Sequence, residues 1–109
     1  MLTQSSINII KLIGELDIGR REEVRQALQI EGPGPGILVD FVEVSYTDST
    51  IIAEVLRFYN DAHAAERRIA ILIGSPRFER ILQYAGLSDV FPIFKDRAEA
   101  LSYLTKEDA

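Results

Sequence analysis

Apolar residues recur along this chain in two rhythms. β-Branched, alternating or continuous runs at Ile7-Asn8-Ile9-Ile10-Lys11-Leu12-Ile13, Ile37-Leu38-Val39-Asp40-Phe41 and Ile69-Ala70-Ile71-Leu72-Ile73 predict strands, the last two covered on both faces. Between them the apolar spacing lengthens to three or four residues. It predicts a helix over 21–29 with Val24, Ala27 and Leu28 as its stripe, and carboxylates Glu22 and Glu23 in the first turn where the dipole favours them. A second helix over 50–66 carries Ile52, Val55, Leu56, Tyr59 and His63. Ser75-Pro76 reads as a cap and a first-turn proline, opening a helix with Phe78, Ile81, Leu82 and Ala85 on its apolar face. Gly86 reads as a left-handed stop, with Leu87 folding back on Leu82. Phe91-Pro92-Ile93-Phe94 predicts a short edge strand. Asp96-Arg97-Ala98-Glu99 has the form of a capping box before a last helix bearing Leu101 and Leu104, and 106–109 reads as a frayed tail.

Strands alternating with helices imply an α/β fold with a mostly parallel sheet and right-handed crossovers. Asp17, the corner at 47–50 and Gly74-Ser75 all follow strands, so they gather at the carboxyl end of the sheet, where such folds meet ligands and partners. Asp40, inside an apolar strand, has no explanation at this level. Gly32-Pro33-Gly34-Pro35-Gly36 looks like a phosphate loop but follows a helix and opens a strand, the reverse of a dinucleotide site, and its prolines remove N–H donors; it is a connector.

Composition narrows the function. A chain of 109 residues, 47% hydrophobic, makes one domain over 1–109 with enough core to need no staples. Without cysteine there is no disulfide and no thiolate metal site, and no cofactor is implied. The 12 basic and 17 acidic residues leave a net charge of −5, which argues against direct nucleic-acid binding and against anionic membrane surfaces. No apolar run reaches the length of a membrane span and the N-terminus lacks a signal-peptide pattern, so the expected location is cytoplasmic. The basic pairs Arg20-Arg21 and Arg67-Arg68 read as solvated helix ends. The single histidine, His63, has no second histidine to share a metal and reads as partly buried.

Chemistry concentrates in Tyr46-Thr47-Asp48-Ser49-Thr50-Ile51-Ile52, where a strand turns directly into a helix. Two hydroxyls fall at a helix N-terminus, which has unpaired N–H groups and favours an anion. Taken alone, Asp-Ser-Thr reads as hydroxyls stabilising a helix start. Asp17 is compatible with capping the next helix or with a functional role. One of Ile51 and Ile52 faces the core, and the other stays exposed as an apolar anchor beside Ser49; core packing is the expected place of Ile52.

Further residues support a family reading. Gly14-Glu15-Leu16-Asp17 after the first strand resembles the opening of the STAS domain, the fold of bacterial anti-sigma factor antagonists. The run from Leu38 to Val44, then Tyr46-Thr47-Asp48-Ser49-Thr50, resembles that family's hydrophobic strand, turn and Asp-Ser-Ser/Thr phosphorylation motif. Leu82-Gln83-Tyr84-Ala85-Gly86-Leu87, Val90-Phe91-Pro92-Ile93-Phe94 and Asp96-Arg97-Ala98-Glu99-Ala100-Leu101 are similar to its C-terminal helix, glycine stop, last strand and closing helix. The resemblance implies a STAS-like single domain with a mixed four- to five-stranded sheet packed with about four helices. It implies an anti-sigma factor antagonist that binds an anti-sigma factor doubling as a serine kinase, is released when phosphorylated at Ser49, and is reset by a phosphatase. Asp17, Asp48, Ser49, Thr50 and Ile51 are then the partner-binding residues, and a weak homodimer is compatible. Two departures stand out: Ile51 occupies the place of the family's glycine and makes the corner bulkier, and the N-terminal edge strand is short. The alternative keeps the fold and drops the switch, giving a scaffold or accessory domain of a signalling complex or transporter. An enzyme is not expected: no P-loop or nucleophile-elbow motif is present, and His63 lies several helical turns beyond Ser49. A receiver domain would need an aspartate at the end of its third strand, not one within an apolar run.

Overall fold

The computed structural model describes residues 7–32 and 34–106. Its elements are β1 (Ile7–Leu16), α1 (Arg21–Ala27), β2 (Gly36–Thr47), α2 (Ser49–Ala64), β3 (Arg68–Ile73), α3 (Pro76–Tyr84), β4 (Ile93–Phe94) and α4 (Arg97–Thr105), with a 3₁₀ turn, Ile18–Arg20, ahead of α1. The strands lie in the sheet in sequence order, each pair parallel. Right-handed crossovers that all step in one direction place their helices on one face. Accordingly Val24 and Leu28, Ile51, Val55 and Phe58 of α2, and Phe78 and Leu82 of α3 share one large core against the sheet. The closing helix has no such constraint and covers the other face, where Ala100 and Leu104 pack on Leu38, Ala70 and Leu72. Alternate residues of β2 and β3 thus feed two cores, which is why those runs are apolar without a break. Within the described residues the expected mixed sheet is four parallel strands; the short N-terminal strand falls on residues 1–6 and the end of the tail on 107–109, outside them.

The buried aspartate now has a reason. β2 spends an extra residue against β1 twice: Lys11 pairs with Asp40 but Ile13 with Glu43, and Gly14 pairs with Val44 but Glu15 with Tyr46. Such bulges strand backbone groups. At the first, Asp40 Oδ1 accepts the Val42 N–H at 3.0 Å, and Oδ2 accepts from Arg97 of α4 at 2.6 Å. Asp40 therefore supplies an acceptor that the ladder lacks, and a guanidinium balances its charge. β2 consequently runs on to Thr47 rather than stopping at Phe41, with Val44 and Thr47 inward and Glu43 and Ser45 outward.

The buried stripe of α2 lies one residue round from the expected one. Ile51, Val55, Phe58 and Ala62 are buried, Ile52, Leu56 and Tyr59 are half-buried, and His63 is exposed, stacked on Tyr59 at 6.3 Å. The cause is α1, which packs beside α2 and covers Glu54. That carboxylate, 4% exposed, accepts from Arg21 Nε at 3.0 Å, Arg25 Nε at 3.3 Å and Arg57 Nε at 3.1 Å. Arg67 and Arg68 are likewise structural rather than solvated. Arg67 donates to the Gly32 carbonyl at 3.1 Å, and Arg68 to the carbonyls of Tyr103 and Lys106 at 2.8 and 2.7 Å, closing the C-terminal end of α4.

Burial pushes the Glu54 carboxyl up, but the hydrogen bonds from Arg21, Arg57 and Arg25 together outweigh it and hold its pKa below the ordinary value. A depressed folded-state pKa stabilises fully above the unfolded carboxylate value near ~4.3, and that contribution fades as pH falls through the lower folded value. Glu54→Gln should therefore lower the melting temperature at pH 7 and flatten its decline below about pH 4, as followed by circular dichroism. Thr47 generates a second prediction. Its Oγ1 is buried with no hydrogen-bond partner among the described residues, and it borders a void of about 10 Å³ with Phe41, Ile52, Val55 and Phe78. Thr47→Val replaces an unpaired hydroxyl with a methyl and should stabilise by ~1 kcal/mol in urea unfolding.

Candidate functional site

β1 and β2 end side by side, with Leu16 paired to Thr47 and the Asp48 N–H donating to the Leu16 carbonyl at 3.3 Å. Asp48 has extended backbone angles and caps α2: Oδ1 accepts the Ile51 N–H at 3.1 Å. Its second oxygen reaches the other loop and accepts the Ile18 N–H at 2.9 Å. One carboxylate thus ties the end of β1 to the start of α2. Asp17 turns the chain locally, with Oδ1 accepting the Gly19 N–H at 2.9 Å and its carbonyl accepting the Arg20 N–H at 2.9 Å.

The same turn explains Gly14. Arg20 reaches back to donate to the carbonyls of Ile13 at 2.8 Å and Glu15 at 3.3 Å, while Glu23 accepts from its Nε and Nη2 at 3.0 and 2.7 Å. Gly14 has φ +90, and a Cβ there would lie 3.1 Å from Arg20 Nη1. Only glycine gives both the backbone angle and the room. Arg20 is therefore a clamp on the loop, not a solvated charge.

Because Asp48 performs the capping, Ser49 is relieved of it. Ser49 is the first residue of α2, and it is exposed. The backbone N–H groups of Ser49 and Thr50 have no intrahelical acceptor, as at any helix start, and point toward whatever anion approaches. Thr50 is half-buried. Ile51 corrects the sequence reading: it is fully buried at 0% exposure and contributes to the main core. At the third helical position its side chain turns inward, so isoleucine in place of the family's glycine adds core volume, not bulk on the surface, and Ile51 is no surface anchor. The structure thus brings Asp17, Asp48, Ser49 and Thr50 together at one end of the sheet and withdraws Ile51. Ser75 lies at the same end but is engaged as the cap of α3, accepting the Phe78 N–H at 3.3 Å, and Arg77 of that helix stacks over the Tyr46 ring at 5.1 Å.

Ile18 is an exposed residue at this end that the sequence pattern did not single out. It is 65% exposed, beside the Asp48 carboxylate. The available signal was an isoleucine directly after Gly-Glu-Leu-Asp, where loop residues are ordinarily polar. Among the described residues no group of three His, Asp or Glu side chains could hold a metal, and no helix is long and apolar enough to cross a membrane.

Known proteins are similar to this chain in sequence or in fold. The chain is 29% identical over 86 residues to an anti-sigma-B factor antagonist of Listeria monocytogenes, spanning 77% of this chain and 75% of that one. An anti-sigma factor antagonist from Mycobacterium paratuberculosis superposes with a TM-score of 0.83 at 18% identity, covering 94% of this chain and 89% of that one. A sulfate transporter family protein from Wolinella succinogenes gives 0.78 at 18% identity, covering 90% and 84%. At these identities the two structures speak for the fold alone. The STAS domain family model matches residues 1–100, and with the parallel sheet, the Asp48-capped helix and the clamped Gly14 loop in place, the chain belongs to the STAS domain family.

Proposed function

We propose that the protein is an anti-sigma factor antagonist, binding an anti-sigma factor that is also a serine kinase and released from it by phosphorylation of Ser49. The observation that carries this reading is the division of labour at the corner: Asp48 holds the helix start and the loop, and Ser49 stands exposed with no capping role. Its likeness to an anti-sigma-B factor antagonist supports the class of partner.

Phosphoryl transfer asks little of the acceptor beyond position. The Ser49 hydroxyl attacks the γ-phosphorus of ATP held by the partner, the bond to ADP breaks, and the serine proton leaves to a base of the kinase. The product carries about −1.5 to −2 charges at neutral pH. The N–H groups of the first turn of α2 favour that charge, so the domain keeps its fold. The partner fares differently. An interface that had enclosed a neutral hydroxyl must now desolvate a dianion beside Asp48 and the nucleotide's own phosphates. A loss of ~3–4 kcal/mol there weakens binding several-hundredfold, enough for a switch. A phosphatase resets the cycle, and the reading places the protein in the cytoplasm.

The test is incubation with ATP and a panel of purified anti-sigma factor kinases, with mass spectrometry of the products. Phosphate on Ser49 alone, tight binding by Ser49→Ala, and binding weakened at least a hundredfold by Ser49→Asp are expected. Complexes indifferent to Ser49→Asp would replace the switch with a permanently docked scaffold.

A further inference from the structure

An isolated exposed isoleucine is ordinary. Ile18 differs in how it is held. It is the most exposed large aliphatic side chain among the described residues, yet it begins a turn fixed from several directions. Asp48 Oδ2 accepts its N–H, Asp17 accepts from Gly19, and Arg20 clamps the Ile13 and Glu15 carbonyls beneath it. A side chain presented on a rigid turn loses little freedom on binding, a property of interface anchors. The carboxylates around Ile18 outnumber the cations: Glu15 and Asp17 are exposed, Asp48 is half-buried and Glu22 stands in the first turn of α1, whereas Glu23 is paired with Arg20, and Arg21 with the buried Glu54.

From this juxtaposition we infer that Ile18 is the apolar anchor of the partner interface, that Asp48 is the positioning residue presenting it, and that the occupant is a protein surface with an apolar socket rimmed by basic side chains. The inference rests on the reading that the Ser49 corner faces an anti-sigma factor. It adds the residue that supplies the contact, a place left vacant when Ile51 proved to lie in the core. It also gives the Asp48 carboxylate two consequences: one oxygen maintains the helix that carries Ser49, and the other sets the height of Ile18 beside it.

The experiment titrates the purified anti-sigma factor kinase used above against the intact protein by calorimetry. Ile18→Ser should weaken binding about tenfold to a hundredfold with an unchanged melting temperature, and Ile18→Leu should restore it to within about threefold. Asp48→Asn keeps a helix cap but loses the acceptor for the Ile18 N–H. It should weaken binding and speed hydrogen exchange at the Ile18 amide, a readout a purely packing role would not move. If the wild type binds, Ser49→Asp releases it and Ile18→Ser binds as tightly as the wild type, the anchor is overturned and the antagonist reading stands. If the wild type binds no such kinase, the antagonist reading falls and the anchor with it.

Discussion

Everything at the functional end of this domain depends on a carboxylate with two occupied oxygens. Asp48 has just left β2 and not yet entered α2, and from that position it accepts from Ile51 on its own helix and from Ile18 across the gap to the preceding crossover. Neither bond is unusual alone. Together they make the two loops one object, because any movement of the 3₁₀ turn must break a charge-assisted bond that also orders the helix start. Serine at the next position is thereby exposed without being loose. In the proposed switch, a hydroxyl that meets both a nucleotide and a partner surface would gain from that combination.

The rest of the molecule uses charge in the same way. It is an acidic protein, yet its arginines are largely engaged in structure: Arg97 balances the bulge aspartate, Arg21, Arg25 and Arg57 gather round Glu54, Arg20 clamps the β1 end, Arg67 holds the connector and Arg68 the end of α4. These cations are tied to buried or backbone acceptors. Glu15, Asp17 and Asp48 stand near the Ser49 end, while exposed carboxylates such as Glu31, Asp61, Glu66 and Glu99 are spread over the rest of the surface.

Where the sequence could be read, the reason was periodicity. The strand cores, the α3 cap at Ser75 and the stop at Gly86, whose φ is +75 and which Leu87 closes by donating to the Leu82 carbonyl, are local in origin. Register was not legible, because a bulge exists only relative to its neighbour; Asp40 looked anomalous until β1 lay beside it. The face of α2 was misplaced for a related reason. A glutamate counts as polar in any pattern, and only the arginines of another helix make Glu54 a buried residue, which moves His63 into solvent and Ile51 into the core. At the site, the local order of Asp48 and Ser49 is evident, whereas the placement of Ile18 depends on a bond between residues thirty positions apart.

The Asp40–Arg97 pair has a consequence for how the molecule is made. Its members are separated by 57 positions, and Arg97 opens the last helix. During synthesis the central strand emerges before Arg97, so a sheet assembled early would enclose the Asp40 carboxylate with the Val42 N–H and the nearby Lys11 but without its guanidinium partner. Parallel pairing already delays assembly, since no two strands are joined by a hairpin. The late guanidinium reinforces that delay, coupling completion of the sheet to arrival of the C-terminal segment and discouraging partial chains from settling into a native-like core.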